Sequence, residues 1–150
     1  MYRNILMPLD GSSRAEAILP HVENLAQRYG ARVILLYVDT APALLLERDE
    51  VVDLEAYLEK RRQQRQKAKT YLRGIIARWQ GKGITAVMHL EQGPVVAGII
   101  EAAHKEQADL VAMTSHGAGG GKRAFYGSVT AGVLQLIDRP LLLIRSRFVK

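Results

Sequence analysis

Hydrophobic residues along this chain fall into short runs separated by longer amphipathic segments. NILMPL (4–9) and ARVILLYV (31–38) are nearly unbroken apolar stretches rich in branched side chains. Such runs suit strands buried on both faces, as in a parallel sheet, where alternation with solvent is lost. Between them, SSRAEAILPHVENLAQRYG reads as a helix: Ser13 and Glu16 have capping-box spacing, and Gly30 is a stop signal. Pro20 falls inside that segment and is expected to kink or interrupt it. Strand, helix and strand at this spacing make a βαβ unit, whose crossover is right-handed in almost every known case.

The alternation continues. Asp39 to Glu50 is an irregular connection, and Val51 to Gln80 a long helix closed by GKG. ITAVMHL is a third strand, and PVVAGIIEAAHKEQ a helix with Pro94 at a tolerated first-turn position. DLVAMTS is a fourth strand and GSVTAGVLQLID a fourth helix; Asp138 to Pro140 turn into LLLIR, a last strand. Alternation from end to end predicts an α/β fold, an open five-stranded parallel sheet with helices on both faces. With no linker or break in composition, residues 1–150 are expected to form one domain. In such sheets ligands bind beyond the carboxyl ends of the strands, where strand order reverses. PLDGSS, YVDT and the loop after the fourth strand should all reach that edge.

Composition narrows the classes. A chain of 150 residues, 48% hydrophobic and 24% charged, has the balance of a globular protein with one core. There is no cysteine, which excludes disulfides, thiolate metal sites and thiol nucleophiles. The amino terminus lacks a signal-peptide pattern, no apolar run reaches membrane-spanning length, and the expected location is the cytoplasm. The formal charge of +6 concentrates in KRRQQRQKAKTYLR, Lys60 to Arg73, just after acid-rich ERDEVVDLEAYLE. Acids at the start of a helix and bases toward its end complement the helix dipole. This run is therefore read as a solvated face, and neither nucleic acid nor membrane is expected as a partner. The four histidines, His21, His89, His104 and His116, lie in different elements, and no metal site is assigned.

The loop in AMTSHGAGGGKRAFYGSVTAGVL (112–134) carries the candidate chemistry. It is not a P-loop, since Arg123 stands where Ser or Thr must follow Lys122. It is not a dinucleotide fingerprint, since Lys122 occupies the third glycine position. It is not a nucleophile elbow, since Met113 and Gly117 flank Ser115. What remains is glycine-rich backbone leading into a helix that opens at Gly127 and Ser128. Unpaired amides and the dipole at a helix start favour an anion, and Lys122 and Arg123 add positive potential. A surface turn with an ordinary helix cap fits the composition equally well.

With its flanks, this loop resembles that of the universal stress protein family, of the UspA-like nucleotide-binding type. Those members carry Gly, two residues, Gly, nine residues, then Gly-Ser or Gly-Thr after the fourth strand. Here Gly117, nine intervening residues, Gly127 and Ser128 reproduce the second half, while Thr114 replaces the first glycine. ILMPLDGS, VILLYV and RPLLLIR match the first, second and terminal strands. The resemblance implies a Rossmann-like fold of the adenine nucleotide α-hydrolase type and a regulatory, stress-response protein binding ATP or AMP, with Mg²⁺ accompanying ATP. It implies that Asp10 bonds the ribose, that Pro8, Leu9 and Val38 line the adenine, and that Met113 and Thr114 touch the adenosine. Gly117, Gly127, Ser128 and Val129 would offer amides to the phosphates, and His116 sits in the same loop. Pairing of terminal strands in a homodimer is also implied. A slow ATPase, a nucleotidyl transferase and a nucleotide-free interaction dimer are the alternatives, although no acid–base pair stands out for catalysis.

Overall fold

The computed structural model describes residues 1–40, 54–115 and 127–145. Five strands, β1 (Asn4–Pro8), β2 (Arg32–Asp39), β3 (Ala86–Gln92), β4 (Leu110–Thr114) and β5 (Leu141–Ile144), form one sheet in the order β3-β2-β1-β4-β5. Every neighbouring pair is parallel. Four helices alternate with them: α1 (Leu19–Tyr29), α2 (Leu54–Gln80), α3 (Val95–Lys105) and α4 (Ser128–Leu136).

The continuous apolar runs have the expected physical cause. Side chains of a strand alternate between faces, so a strand covered on both sides must be apolar throughout. Ile5, Met7, Val33 and Leu35 pack with α1 and α2 on one face. Leu6, Ile34 and Leu36 pack with α3 and α4 on the other. Full burial of a branched aliphatic side chain stabilises by about 1.5–3 kcal/mol, and the central strand β1 supplies three fully enclosed residues in a row, Ile5, Leu6 and Met7.

Local details depart from the sequence reading in instructive ways. The segment before α1 is a short 3-10 turn, Ala15–Ile18, and α1 begins only at Leu19, so that Pro20 occupies a first-turn position. A first-turn proline has no amide that would need an acceptor within the helix. The Ser13–Glu16 capping box does not form at the start of α1, which has no side-chain cap. Ser12 takes the turn instead, its Oγ accepting from the Ala15 amide at 3.1 Å. Gly30 does end α1, at φ 64°, a left-handed conformation that costs glycine little. Pro94 is the residue just before α3, with extended backbone (ψ 141°), and is not in its first turn. β3 is shifted two residues toward the carboxyl end, and Asp39 belongs to β2. From residue 41 on, the Asp39 to Glu50 connection lies outside the described residues, as does the beginning of the segment read as Val51 to Gln80.

The two sheet edges differ. β3 presents His89 and Glu91 among its apolar residues, whereas β5 is LLLI, each residue only half-buried. Among the described residues no helix is long and apolar enough to cross a membrane.

Candidate functional site

Strand order reverses beside β1, which has β2 on one side and β4 on the other. The crevice required by this topology is a cavity of about 190 Å³ at the carboxyl ends of these strands. The end of β1 and the chain after it contribute Pro8, Leu9 and Asp10; β2 contributes Val38; β4 and its extension contribute Met113, Thr114 and Ser115. Gly127, Ser128, Val129 and Thr130 close it from the start of α4. Nine residues singled out in the sequence, from Pro8 to Val129, thus meet in one hollow. His116 and Gly117, with the flanking Lys122 and Arg123, lie outside the described residues.

Local structure explains the shape. Pro8 cannot donate to the ladder, so β1 ends there, and the Leu9 amide makes the last link to β2 by donating to Leu36 O at 2.8 Å. The chain then turns at Asp10, whose Oδ1 accepts from the Ser12 amide at 2.9 Å. This bond fixes the carboxylate at the crevice rim as a hydrogen-bond acceptor.

The start of α4 differs from the expectation in one amide. Gly127 precedes the helix with extended backbone, and its N–H donates to Ser115 O at 2.9 Å. That amide is committed to holding the helix against β4. Thr130 reinforces the same junction: buried, its hydroxyl donates to Ser115 O at 2.8 Å. No side chain caps α4, and the next three amides, of Ser128, Val129 and Thr130, belong to the first turn, where an α-helix offers no internal acceptor. First-turn amides at the positive end of a helix dipole favour an anion.

Three wall residues carried no sequence signal. Val95 and Ile99 enter from one face of α3, and Ala15 from the turn before α1. α3 comes close because Gly98 faces β2: a Cβ there would stand 2.9 Å from both methyls of Val38. A small residue at one helical position was the available clue, and it acquires meaning only once the helix is seated on β2.

A larger cavity, about 650 Å³, lies across Asp10, between α2 and the ends of β2 and β3. Asp39 pairs with Arg61 in its wall at 3.1 Å. Burial, with the Glu16 and Asp10 carboxylates nearby, pushes the Tyr71 phenol up, so this residue stays neutral at physiological pH. Among the described residues there is no cluster of three His, Asp or Glu side chains suited to a metal ion.

Comparison with known proteins adds to this geometry. The universal stress protein family matches residues 1–145. Hypothetical protein MJ0577 of Methanocaldococcus jannaschii has a solved structure that is 28% identical, covers 98% of both chains and superposes with a TM-score of 0.83. A universal stress protein in complex with cAMP is 18% identical with a TM-score of 0.69, covering 97% of this chain and 98% of its own. One from Archaeoglobus fulgidus in complex with dAMP is 20% identical with a TM-score of 0.63, covering 96% and 98%. At such identities the last two show a common fold.

Proposed function

This chain belongs to the universal stress protein family, and from that premise we propose that it is an adenine-nucleotide-binding regulatory protein, taking ATP or AMP in the crevice between β1 and β4. The observation that carries this reading is the pairing of an apolar slot with an anion-favouring helix start at one topological switch point. Pro8, Leu9, Val38, Met113 and Thr114 would enclose the adenosine, and Asp10 would accept from the ribose hydroxyls. Ser128 and Val129 would give amides to the phosphates, joined by Thr130, while Gly127 borders them without donating. The roles of His116 and Gly117 rest on the family resemblance. Mg²⁺ arriving with ATP would be held by phosphate oxygens and water. Complexes of two similar folds with cAMP and dAMP support an adenylate as the ligand. A regulatory role requires that the nucleotide bind two conformations unequally.

Isothermal titration with ATP and with AMP tests the assignment. Micromolar-range binding is expected, weakened about tenfold in Asp10→Ala through loss of a charge-assisted hydrogen bond. Equal affinity in the variant removes Asp10 from the site, and no heat with either nucleotide rejects the reading.

The same reading includes a homodimer through β5. Its apolar, half-buried residues leave an open edge, the kind of surface that pairs with another strand, while the opposite edge carries charge. Sedimentation at micromolar concentration should give a dimer that Leu143→Lys converts to monomer; a wild-type monomer contradicts it.

A further inference from the structure

The edge strand β3 is tied to α3 by a cluster that no nucleotide site uses. His89 stands between two carboxylates: Nδ1 lies 2.8 Å from Glu106 Oε1, and Nε2 lies 2.7 Å from Glu91 Oε1. All three side chains are largely sheltered, with side-chain exposures of 14% for His89, 12% for Glu91 and 23% for Glu106. An ionised carboxylate only accepts hydrogen bonds, and neutral imidazole has a single N–H, so both contacts can be hydrogen bonds only when the ring is protonated. From β2, Arg32 reaches Glu106 at 3.1 Å; from α3, Lys105 reaches Glu91 at 3.0 Å and the more exposed Glu101 at 3.9 Å. With imidazolium in place, three cations face three carboxylates and the cluster is neutral. Without it, a ring lone pair faces a carboxylate oxygen, and one negative charge is left in excess.

We propose that His89 is a proton-operated clamp: protonated, it locks edge strand β3 to the carboxyl-terminal end of α3, and on losing its proton it releases that edge. Asn4 supports the arrangement, its Oδ1 accepting from Arg32 Nε at 3.2 Å, so the clamp is anchored in the central strand. Burial by itself would lower the His89 pKa, but hydrogen bonds to Glu106 and Glu91 and their charges outweigh it, and the value is raised. The His89 contact, with the neighbouring cations, in turn lowers both carboxylates. The His89 contribution is therefore complete below the ordinary imidazole range and disappears as pH rises through the elevated value. The carboxylate contribution is present above the ordinary carboxylate range and disappears as pH falls through the depressed values. The clamp is closed between the ordinary carboxylate and imidazole ranges and opens as pH rises through the elevated His89 value. Release would expose β2, an apolar strand, as a new edge.

Two measurements on the full chain test this. Histidine ring ¹⁵N–¹H spectra should show His89 with both nitrogens protonated at pH 6 and titrating above the ordinary imidazole range. Amide hydrogen exchange, corrected for intrinsic rate, should accelerate in β3 by about tenfold or more between pH 6 and pH 9, as expected for loss of a charge-assisted hydrogen bond. In His89→Gln, which cannot take up a proton in this range, that acceleration should vanish. A His89 ring that is neutral at pH 6, or β3 exchange with the same pH response in wild type and variant, overturns the proposal. The ring spectrum decides the matter even if the variant does not fold.

Discussion

Val95→Trp is expected to reduce affinity for ATP and AMP by at least about a hundredfold, close to 2.7 kcal/mol, while the protein stays folded. Val95 is the first residue of α3, half-buried, and lines the same crevice as the start of α4. Free space there is only about 190 Å³, so an indole must occupy volume that a purine would need. The fold should tolerate the change because Val95 is only a partly buried neighbour of the core on this face and the crevice beside it gives the larger ring room. Titration calorimetry and far-ultraviolet circular dichroism measure the two halves of this statement. Unaltered affinity in a folded variant would mean that the nucleotide sits elsewhere, and the assignment of this crevice would fall.

Gly98→Ala is expected to destabilise the fold by about 1–2 kcal/mol, against the trend for glycine in helices. Alanine in a helix interior is ordinarily favoured over glycine by about 1 kcal/mol. Here the new methyl would meet both γ-carbons of Val38 at 2.9 Å, and Glu91 Cβ at 3.5 Å. Because both branches of Val38 are equally close, rotation about its χ1 cannot relieve the contact, and strands or helix must move apart. Overpacking of this kind costs about 1–3 kcal/mol before the propensity gain is subtracted. Val38→Ala removes the obstructing methyls, so the double variant should recover most of the Gly98→Ala loss, with a coupling of at least about 1 kcal/mol in a denaturant-unfolding cycle. Additive effects would show that α3 and β2 do not meet in this way.

These two residues also indicate how far the chain could be read before its fold was known. The family resemblance points to Val38 as a wall of the adenine site, and its side chain does line the crevice. Gly98 carries no signal in the sequence, since a single glycine in a helix commonly has no packing role. Val95 and Ile99 stand four residues apart in an apolar helical segment, and Ile99 is fully buried. That they also wall a ligand-sized hollow depends on α3 crossing beneath the end of β2. Gly127 shows the converse. Its place at the opening of α4 was legible, but its amide was expected to face a ligand and instead bonds to Ser115. The carbonyl that takes it lies twelve residues earlier in the chain.

What the sequence determined by itself was the alternation of strands and helices, the burial of both sheet faces and the edge of the sheet that holds the crevice. Those follow from local period and composition, since a strand shielded on both faces must be apolar and a helix start leaves amides free wherever it occurs. The order β3-β2-β1-β4-β5, the joining of α3 to the crevice, the capture of the Gly127 amide and the placing of His89 between Glu91 and Glu106 were decided only by the tertiary structure. Each depends on register and on close approach between segments distant in the chain. Such contacts are settled by the packing of whole elements against one another, and no local stretch of residues contains that information.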